Sequence, residues 1–453
     1  MHSILVRKVM VPLYDFATRT PTRKYLRELD ASQWFSLERI QKLQEKKLRF
    51  LIKYAYDTVP YYHKLFRVQN LNPNDIKSVD DLVKLPILSR NEVREEPDSL
   101  ISRDYQRAKV AQGCTGGSTG EPIKFYTTKE NRGWSMAARY LAWRWAGFEI
   151  GDKYAHVFGS PLDRPRFASL NDKLQGTIKR RIFIDAYQLS EKKMESFTRQ
   201  MRRFKPKILY GFAEAVSTLA KFIEEREIKP IPLKSVIIDS SSLFKHEINT
   251  IENVFCCKVW WNYHNRENGT FGSECSEHDG YHLFAQNFVF EFTNNGGRVA
   301  PGEKGAIVIT DLTNYAMPFI RYEVGDVGIP SDETCSCGRD LPLMRKLFGR
   351  TADILVSATG ELIVDFFYVC LERLFETGKI KQYQILQETP TQILMKIIPG
   401  KNLTSADISF IKKAVLSLMG DMKIEVRLVD AITTNSSGKR QTVIRKFPIE
   451  FSK

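Results

Sequence analysis

Between residues 105 and 345, short apolar runs (KILYGF, SVIID, NFVFEF, GAIVIT) alternate with amphipathic stretches such as AEAVSTLAKFIEERE. Runs of that length, rich in β-branched and aromatic residues, read as buried strands, and the longer stretches with apolar residues three and four apart read as helices. Their alternation calls for an α/β architecture. The first hundred residues read differently, as helices, with LERIQKLQEKKLRFLIKYAY the longest and a further short helix after Asn74. After Gly349 the pattern tightens into a helix around FFYVCLERLFE, strands in QYQILQE and QILMKIIP, a helix over ADISFIKKAVLSLMG and a strand in KIEVRLVDA. This predicts a large multi-sheet N-terminal domain over 1–348, helical over 1–100, and a small α+β C-terminal domain over 349–453. The boundary falls near Leu347–Asp353.

At 453 residues, with 43% hydrophobic and 27% charged residues, the chain can bury a sizeable core, so disordered and collagen-like classes are excluded. No apolar run approaches the ~18 residues that cross a bilayer. The opening MHSILVRKVMVPLYDF is broken by Arg7, Lys8 and Pro12, which argues against a secretory signal. Seven cysteines, an odd number, argue against a disulfide framework and for the reducing cytosol. The net charge of +15 is partly local: residues 173–207 hold eleven Lys/Arg against three acids. A second basic stretch opens the chain, with Arg7, Lys8, Arg19, Arg23, Lys24 and Arg27. Such fields favour an anionic partner or simply a solvated face. A zinc-containing nucleic-acid binder is the competing class. Against it, the basic residues do not repeat with stacking aromatics and the Cys/His spacing matches no familiar finger.

Five stretches concentrate polar chemistry, and each alone has an ordinary reading. CTGGSTGEPIKFYTT, Cys114 to Thr128, is a Gly/Ser/Thr loop that suits phosphate oxygens, or a surface turn. It is not the common P-loop, because Glu121 stands where that motif needs lysine. WWNYHNRENGTFGSEC carries Tyr263, Arg266 and Glu267. In TDLTNYAMPFIRYEVGDVG, Asp326 follows a strand, where a carboxylate can accept both ribose hydroxyls. FGRTADIL places Arg350 at the domain boundary, and TTNSSGKRQTV presents Lys439 on a Ser/Gly loop.

In this order the five stretches resemble the motif series of adenylate-forming enzymes, and more narrowly the phenylacetate–CoA ligase family with its relatives in capsular polysaccharide clusters. The resemblance runs from about Tyr54 to Lys446 and is specific in TGGSTGEPIKF, TDLTNYAMPFIRYEVGD and CSCGRDLP. It implies a large adenylation domain with a mobile C-terminal lid. Thr115, Gly117, Ser118, Thr119 and Gly120 would cradle the β- and γ-phosphates of ATP. Tyr263 would lie against adenine, Glu267 would hold Mg²⁺, and Asp326, helped by Arg350, would bind the ribose. Lys439 would bridge the substrate carboxylate and the α-phosphate, completing a catalytic set with Glu267 and Thr119. Departures are Glu121 before the proline, Tyr263-His264 for Tyr-Gly, Ala352 for a hinge aspartate, and no glutamate near Ser240–Ser242.

Cys275 and His282 in ECSEHDGYHL, with Cys335 and Cys337 in CSCGR, form two clusters of soft or borderline ligands that suit a closed, structural Zn²⁺ site. His278 competes with His282 for the fourth position. The expected cofactors are ATP, Mg²⁺ and structural Zn²⁺, with CoA if the acceptor is a thiol. The expected partners are a small-molecule or glycan carboxylate and an amine or CoA acceptor, with no nucleic acid. A cytoplasmic location is expected, with peripheral contact at an anionic inner membrane face or a lipid-linked glycan. The apolar residues Ile4, Leu5, Val9, Met10, Val11, Leu13 and Phe16 would then form one face of an interfacial helix.

Overall fold

A computed structural model describes residues 3–105, 110–115, 123–159, 176–239, 243–294, 297–350, 354–363, 366, 370–432 and 442–447. The chain opens with α1 (Ser3–Leu5), a π-helical turn (Val6–Met10), α2 (Val11–Thr18), α3 (Thr22–Ser32), α4 (Leu37–Thr58) and α5 (Pro60–Val68). Ser36 starts α4 by accepting a hydrogen bond from the Arg39 amide, and Ile40, Leu48, Leu51, Ile52 and Ala55 bury one stripe of it. The short helix expected after Asn74 is instead two 3₁₀ turns, Pro73–Asp75 and Asp80–Lys84. Asn72 and Asp75 cap each other's amides and Asp81 accepts from Lys77 and Ser78, so side chains capture the donors that a longer helix would need. Helix α6 (Arg90–Glu95) follows, opened by a reciprocal Ser89–Glu92 capping box.

Strands β1 (Ala111–Cys114) and β2 (Lys124–Thr127) form an antiparallel hairpin ahead of α7 (Lys129–Trp145). The main sheet then begins with β3 (Tyr154–Phe158), β4 (Arg181–Asp185), β5 (Ile208–Phe212), β6 (Ser235–Asp239) and β7 (Val259–Asn265), all parallel. Their crossovers carry α8 (Glu191–Phe204), α9 (Ala213–Glu225) and α10 (Lys245–Phe255). From β8 (Gly269–Ser273) the direction alternates through β9 (Tyr281–Leu283), β10 (Phe288–Asn294), β11 (Gly297–Arg298), β12 (Gly305–Asp311), β13 (Tyr322–Ser331) and β14 (Leu343–Arg350). Twelve strands join in the order β11-β10-β12-β13-β14-β9-β8-β7-β6-β5-β3-β4. The antiparallel β7–β8 pair is where the parallel half meets the antiparallel half.

Alternate residues along a strand face opposite layers. In the parallel half Ala155, Val157, Leu209, Val236 and Ile238 share a core with residues of α8 to α10. Tyr154, Tyr210, Ile237 and Trp260 face the other way and pack with Ala138, Leu141 and Trp143 of α7. That α7 face is where the polar groups of the site gather.

The last stretch builds separate sheets. Strands β15 (Leu355–Val356) and β16 (Leu362–Ile363) pair, and α11 (Glu372–Glu376) precedes β17 (Ile380–Thr389) and β18 (Gln392–Pro399). Helix α12 (Ser405–Met419), β19 (Lys423–Leu428) and β20 (Val443–Arg445) complete a four-stranded sheet of order β19-β18-β17-β20. Leu355, Ile385, Ile393, Ile411 and Val415 form its own core. Among the described residues no helix is long and apolar enough to cross a membrane.

Candidate active site

The switch from β7 to β8 sets a carboxylate-rich corner. Glu267, in the turn between the two strands, is almost fully buried, and Arg90 at the start of α6 donates from Nη1 to its Oε1 at 3.1 Å. The same Nη1 reaches the Tyr322 hydroxyl at 3.2 Å and the Val324 carbonyl at 3.3 Å. Tyr263, on β7 and buried, donates its hydroxyl hydrogen to Asp326 Oδ2 at 2.9 Å. Asp326 on β13 lies directly across from Arg350 on β14. Four of the expected residues, Tyr263, Glu267, Asp326 and Arg350, thus sit on adjoining strands and turns. Arg90, which the sequence reading passed over, links Glu267 to the β13 strand; as one charged residue in the charged stretch SRNEVREEP it carried no signal.

Thr115 closes the neck of the glycine loop. Its amide donates to the Ile123 carbonyl at 3.0 Å, and its Oγ1 accepts from the Ile123 amide at 2.9 Å. A hydroxyl used in this way holds the loop's two stems together, so the structure gives Thr115 a bracing contact at the expected position. Gly117, Ser118, Thr119, Gly120, Glu121, Ser240–Ser242, Ala352 and Lys439 lie outside the described residues.

The four sulfur and imidazole candidates converge. Cys275, His282, Cys335 and Cys337 bring their ligand atoms within 4.8 Å of one another. The Cys275 and Cys335 sulfurs are 3.6 Å apart, and Cys337 Sγ lies 3.3 Å from His282 Nε2. Four ligands around a zinc ion with bonds near 2.3 Å have sulfur–sulfur edges of about 3.8 Å, so this donor set and spacing fit tetrahedral Zn²⁺. Burial, then the Arg339 charge, hold His282 down to about 4, which keeps the imidazole in the neutral form a metal ligand requires. His278 stands apart, with Nδ1 3.0 Å from Glu274 Oε2 and its ring against Trp260, and is not in the cluster.

A model of the CapK C-terminal domain matches residues 355–446, the stretch that holds the separate four-stranded sheet. Phenylacetate–coenzyme A ligase of Thermus thermophilus is 24% identical over 330 residues, 70% of this chain and 72% of that protein. Protein CapK of Staphylococcus aureus is 21% identical over 416 residues, 89% of this chain and 88% of that protein. The chain is a homologue of the phenylacetate–CoA ligases and of CapK. The crystal structure of 2-hydroxyisobutyryl-CoA ligase, in the postadenylation state with an acyl-AMP, shares its fold at a TM-score of 0.69 with 19% identity. It covers 91% of each chain.

In this CapK and phenylacetate–CoA ligase homologue the Tyr263-His264 departure has a structural consequence. His264 turns toward α7, where Arg139 Nη2 lies 3.1 Å from its Nε2. Its Nδ1 stands 3.8 Å from Asp239 at the end of β6. Asp239 is buried and accepts from the Tyr210 hydroxyl and the Asn262 amide. Burial pushes the Asp239 carboxyl up, and the Arg139 charge opposes that shift. His156 on β3 stacks between Phe158 and Tyr210, with ring centroids 5.0 and 5.1 Å away. Burial first, then the charges of Arg181, Arg139 and Lys179, hold its imidazole well below the ordinary value. Sequence reading missed this network because RGWSMAARYLAWRWAG reads as a helix with an aromatic stripe and a solvated arginine face.

Proposed function

We propose that the chain is an ATP-dependent carboxylate ligase that forms an acyl-adenylate and pyrophosphate, then passes the acyl group to an amine or to CoA. The observation that carries the reading is the corner where Tyr263 holds Asp326 opposite Arg350 while Glu267 lies buried a turn away. In the first half-reaction a carboxylate oxygen of the substrate bonds to the α-phosphorus. The bond from that phosphorus to the bridging oxygen breaks, and its electron pair leaves with pyrophosphate. Both partners are anions, so their approach needs fixed positive charge. Glu267, a buried carboxylate already facing the Arg90 cation, suits Mg²⁺, which when bound would neutralise phosphate charge. Asp326 and Arg350 would hold the ribose, the Thr115–Gly120 loop the β- and γ-phosphates, and Lys439 the reacting carboxylate and α-phosphate.

Residues 349–453 would act as a lid that reorients between the half-reactions, hinged near Arg350, against an adenylation domain of residues 1–348. Zinc at Cys275, His282, Cys335 and Cys337 would be structural: four protein ligands leave no open position for substrate. The likeness to CapK supports a role in capsular or other surface polysaccharide assembly, with amide formation on a sugar uronate as the specific reaction. The exposed Ile4, Leu5, Val9, Leu13 and Phe16, beside Arg7 and Lys8, support peripheral contact with an anionic cytoplasmic membrane face. The phenylacetate–CoA ligase likeness supports a second reading, a conventional aryl- or acyl-CoA ligase. A product that requires CoA would decide for that second reading.

The deciding experiment is acid-dependent pyrophosphate–ATP exchange with purified protein and a pool of uronates, amino acids, aryl acids and fatty acids. Lys439→Ala should abolish exchange while leaving ATP affinity within about threefold, because lysine is needed where charge develops. Asp326→Ala should weaken ATP binding itself by roughly tenfold or more, as expected for loss of a charged hydrogen bond. Full activity in both variants would overturn the residue assignments. Absence of ATP binding and of exchange in the unaltered protein would overturn the ligase reading.

A further inference from the structure

We propose that the Arg139, His156, Tyr210, Asp239, Asn262 and His264 cluster is the acyl-selecting pocket and that it accepts a hydroxylated acid of the sugar-acid class. This rests on the adenylate-forming reading above and names the substrate class of that site. Its place in the fold is the first argument. Asp239 ends β6 with Asn262 paired beside it on β7, His156 and Tyr210 stand mid-strand, level with each other, on the adjacent parallel β3 and β5, and Arg139 covers them from α7. Open α/β sheets bind ligands at the carboxyl ends of such strands. His264 follows directly on Tyr263, whose hydroxyl holds Asp326 at the nucleotide corner. A group seated beside His264 is therefore within reach of a carboxylate reacting at that corner.

The second argument is what the cluster leaves unmatched. Asp239 is satisfied by Tyr210 and Asn262. Arg139, by contrast, lies over the Tyr210 ring and, among the described residues, has a hydrogen-bond partner only in His264, while its Nε is sealed from solvent without an acceptor. His156 is 9% exposed, and neither ring nitrogen has a partner among the described residues. Asn262 Oδ1 is buried and equally unmatched. Buried polar atoms without partners cost stability and are rare unless a site needs them. The unmatched set contains donors and acceptors together: the Arg139 Nε–H, the Asn262 Oδ1, and one of each on neutral His156. Hydroxyls both donate and accept, so a polyhydroxylated acid answers the whole set. A phenyl ring or an alkyl chain answers none of it. A second carboxylate would answer the donors but meet the buried Asp239.

The walls agree with that class. Phe158 and Phe212 stack at 4.0 Å and Phe158 also lies flat against His156, so an aromatic, apolar surround stands beside the polar atoms. A sugar ring has the same division, with C–H faces and a hydroxyl rim.

The test measures kcat/KM for exchange with D-glucuronate, D-galacturonate and D-gluconate against phenylacetate, benzoate and octanoate. It uses the full chain, His156→Phe and Arg139→Met. The expected result is a preference of about tenfold or more for the best sugar acid, since a site built around hydroxyls rejects analogues that lack them. His156→Phe keeps the stack and removes both nitrogens. It should cost sugar-acid kcat/KM about tenfold while the melting temperature holds or rises, and Arg139→Met should lower the same ratio. An unaltered protein that prefers phenylacetate or octanoate overturns the inference and leaves the ligase reading intact. So does sugar-acid activity unchanged in both variants. Thermal melting with each acid separates the remaining cases. Stabilisation by a sugar acid, lost in His156→Phe, supports the pocket even if exchange is silent and the ligase reading falls. Neither exchange nor stabilisation overturns both.

Discussion

Two arginines, buried Arg321 in the antiparallel half of the main sheet and part-buried Arg139 on α7 over the parallel half, show how differently the same side chain can be used. Arg321, just before β13 in the antiparallel half, is 5% exposed and fully answered by protein. Its Nε and Nη2 pair with the two oxygens of Glu291 at 3.1 and 2.9 Å, and Nη1 donates to the Leu85 carbonyl at 2.5 Å. Arg139, over the parallel half, has one hydrogen-bond partner among the described residues, a neutral histidine, and a sealed Nε. A bidentate carboxylate with a third acceptor engages each of the three side-chain nitrogens of Arg321. Arg139 keeps most of its donors unspent beside a carboxylate already occupied by Tyr210 and Asn262. The antiparallel half uses charge to hold itself together, and the parallel half holds charge ready for something else.

The sharpest way to break that contrast is to remove each guanidinium in turn. Arg321→Met strands Glu291 in the core with only the distant, half-exposed Arg298 at 3.9 Å, and should cost about 3–5 kcal/mol in urea unfolding. Arg139→Met should cost less, about 1–2 kcal/mol, because the methionine chain fills similar space and Asp239, though it loses an opposing charge, keeps its hydrogen bonds from Tyr210 and Asn262. Equal losses would mean that Arg139 is structural too.

The thiol cluster sharpens the comparison next, since it belongs with Arg321 on the structural side. It joins the β8–β9 connection and β9 to the loop before β14. Metal analysis should find about one zinc per chain, as a single set of four ligands implies. Chelation should lower the melting temperature by on the order of 5 °C, because the metal's binding energy is coupled to folding, and ATP affinity should stay unchanged. Protein purified without chelators that holds no zinc would sink the site.

Much of this was legible in the residues, and the reason is local. Apolar runs such as SVIID and GAIVIT are strands β6 and β12 almost to the residue, because a central strand buried on both faces writes itself as unbroken hydrophobicity. The stretch ADISFIKKAVLSLMG is α12 to within a residue at each end, its apolar residues spaced for one buried helix face. The thiol cluster was also legible, as soft ligands in two close pairs, although only the fold could choose His282 over His278. What stayed hidden depends on long-range placement. Arg90 meets Glu267 across 177 positions, and Arg139 meets His264 across 125. Nothing in their own neighbourhoods distinguishes them from surface arginines. The strand pairing β17–β20 was hidden likewise, since three residues after a Ser/Gly loop carry too little periodicity to read.

A pH-dependent difference also separates the two arginine neighbourhoods. His156 and His264 are both held well below the ordinary imidazole value, in each case first by burial; Arg139 adds to it at both, with Arg181 at His156 and Arg266 at His264. Above pH 6.5 these rings are neutral in folded and unfolded chains alike and contribute no slope. Below it, the unfolded chain takes up protons that the folded chain refuses, so stability falls as the pH falls. Each such ring adds about 1.4 kcal/mol per pH unit to that loss. His156→Phe removes one of them. Its unfolding free energy, followed from pH 7.5 to 5, should therefore fall less steeply than that of the unaltered protein by about one proton's worth. Carboxylates that titrate in the same range are common to both proteins and cancel in the difference. Arg321→Met, for all its larger overall loss, should leave this histidine contribution in place, because its guanidinium does not set either ring's burial. Identical slopes for His156→Phe and the unaltered protein would mean that the folded chain protonates His156 as readily as water does. The ring would then be solvated rather than sealed, and the unmatched half of the contrast would disappear.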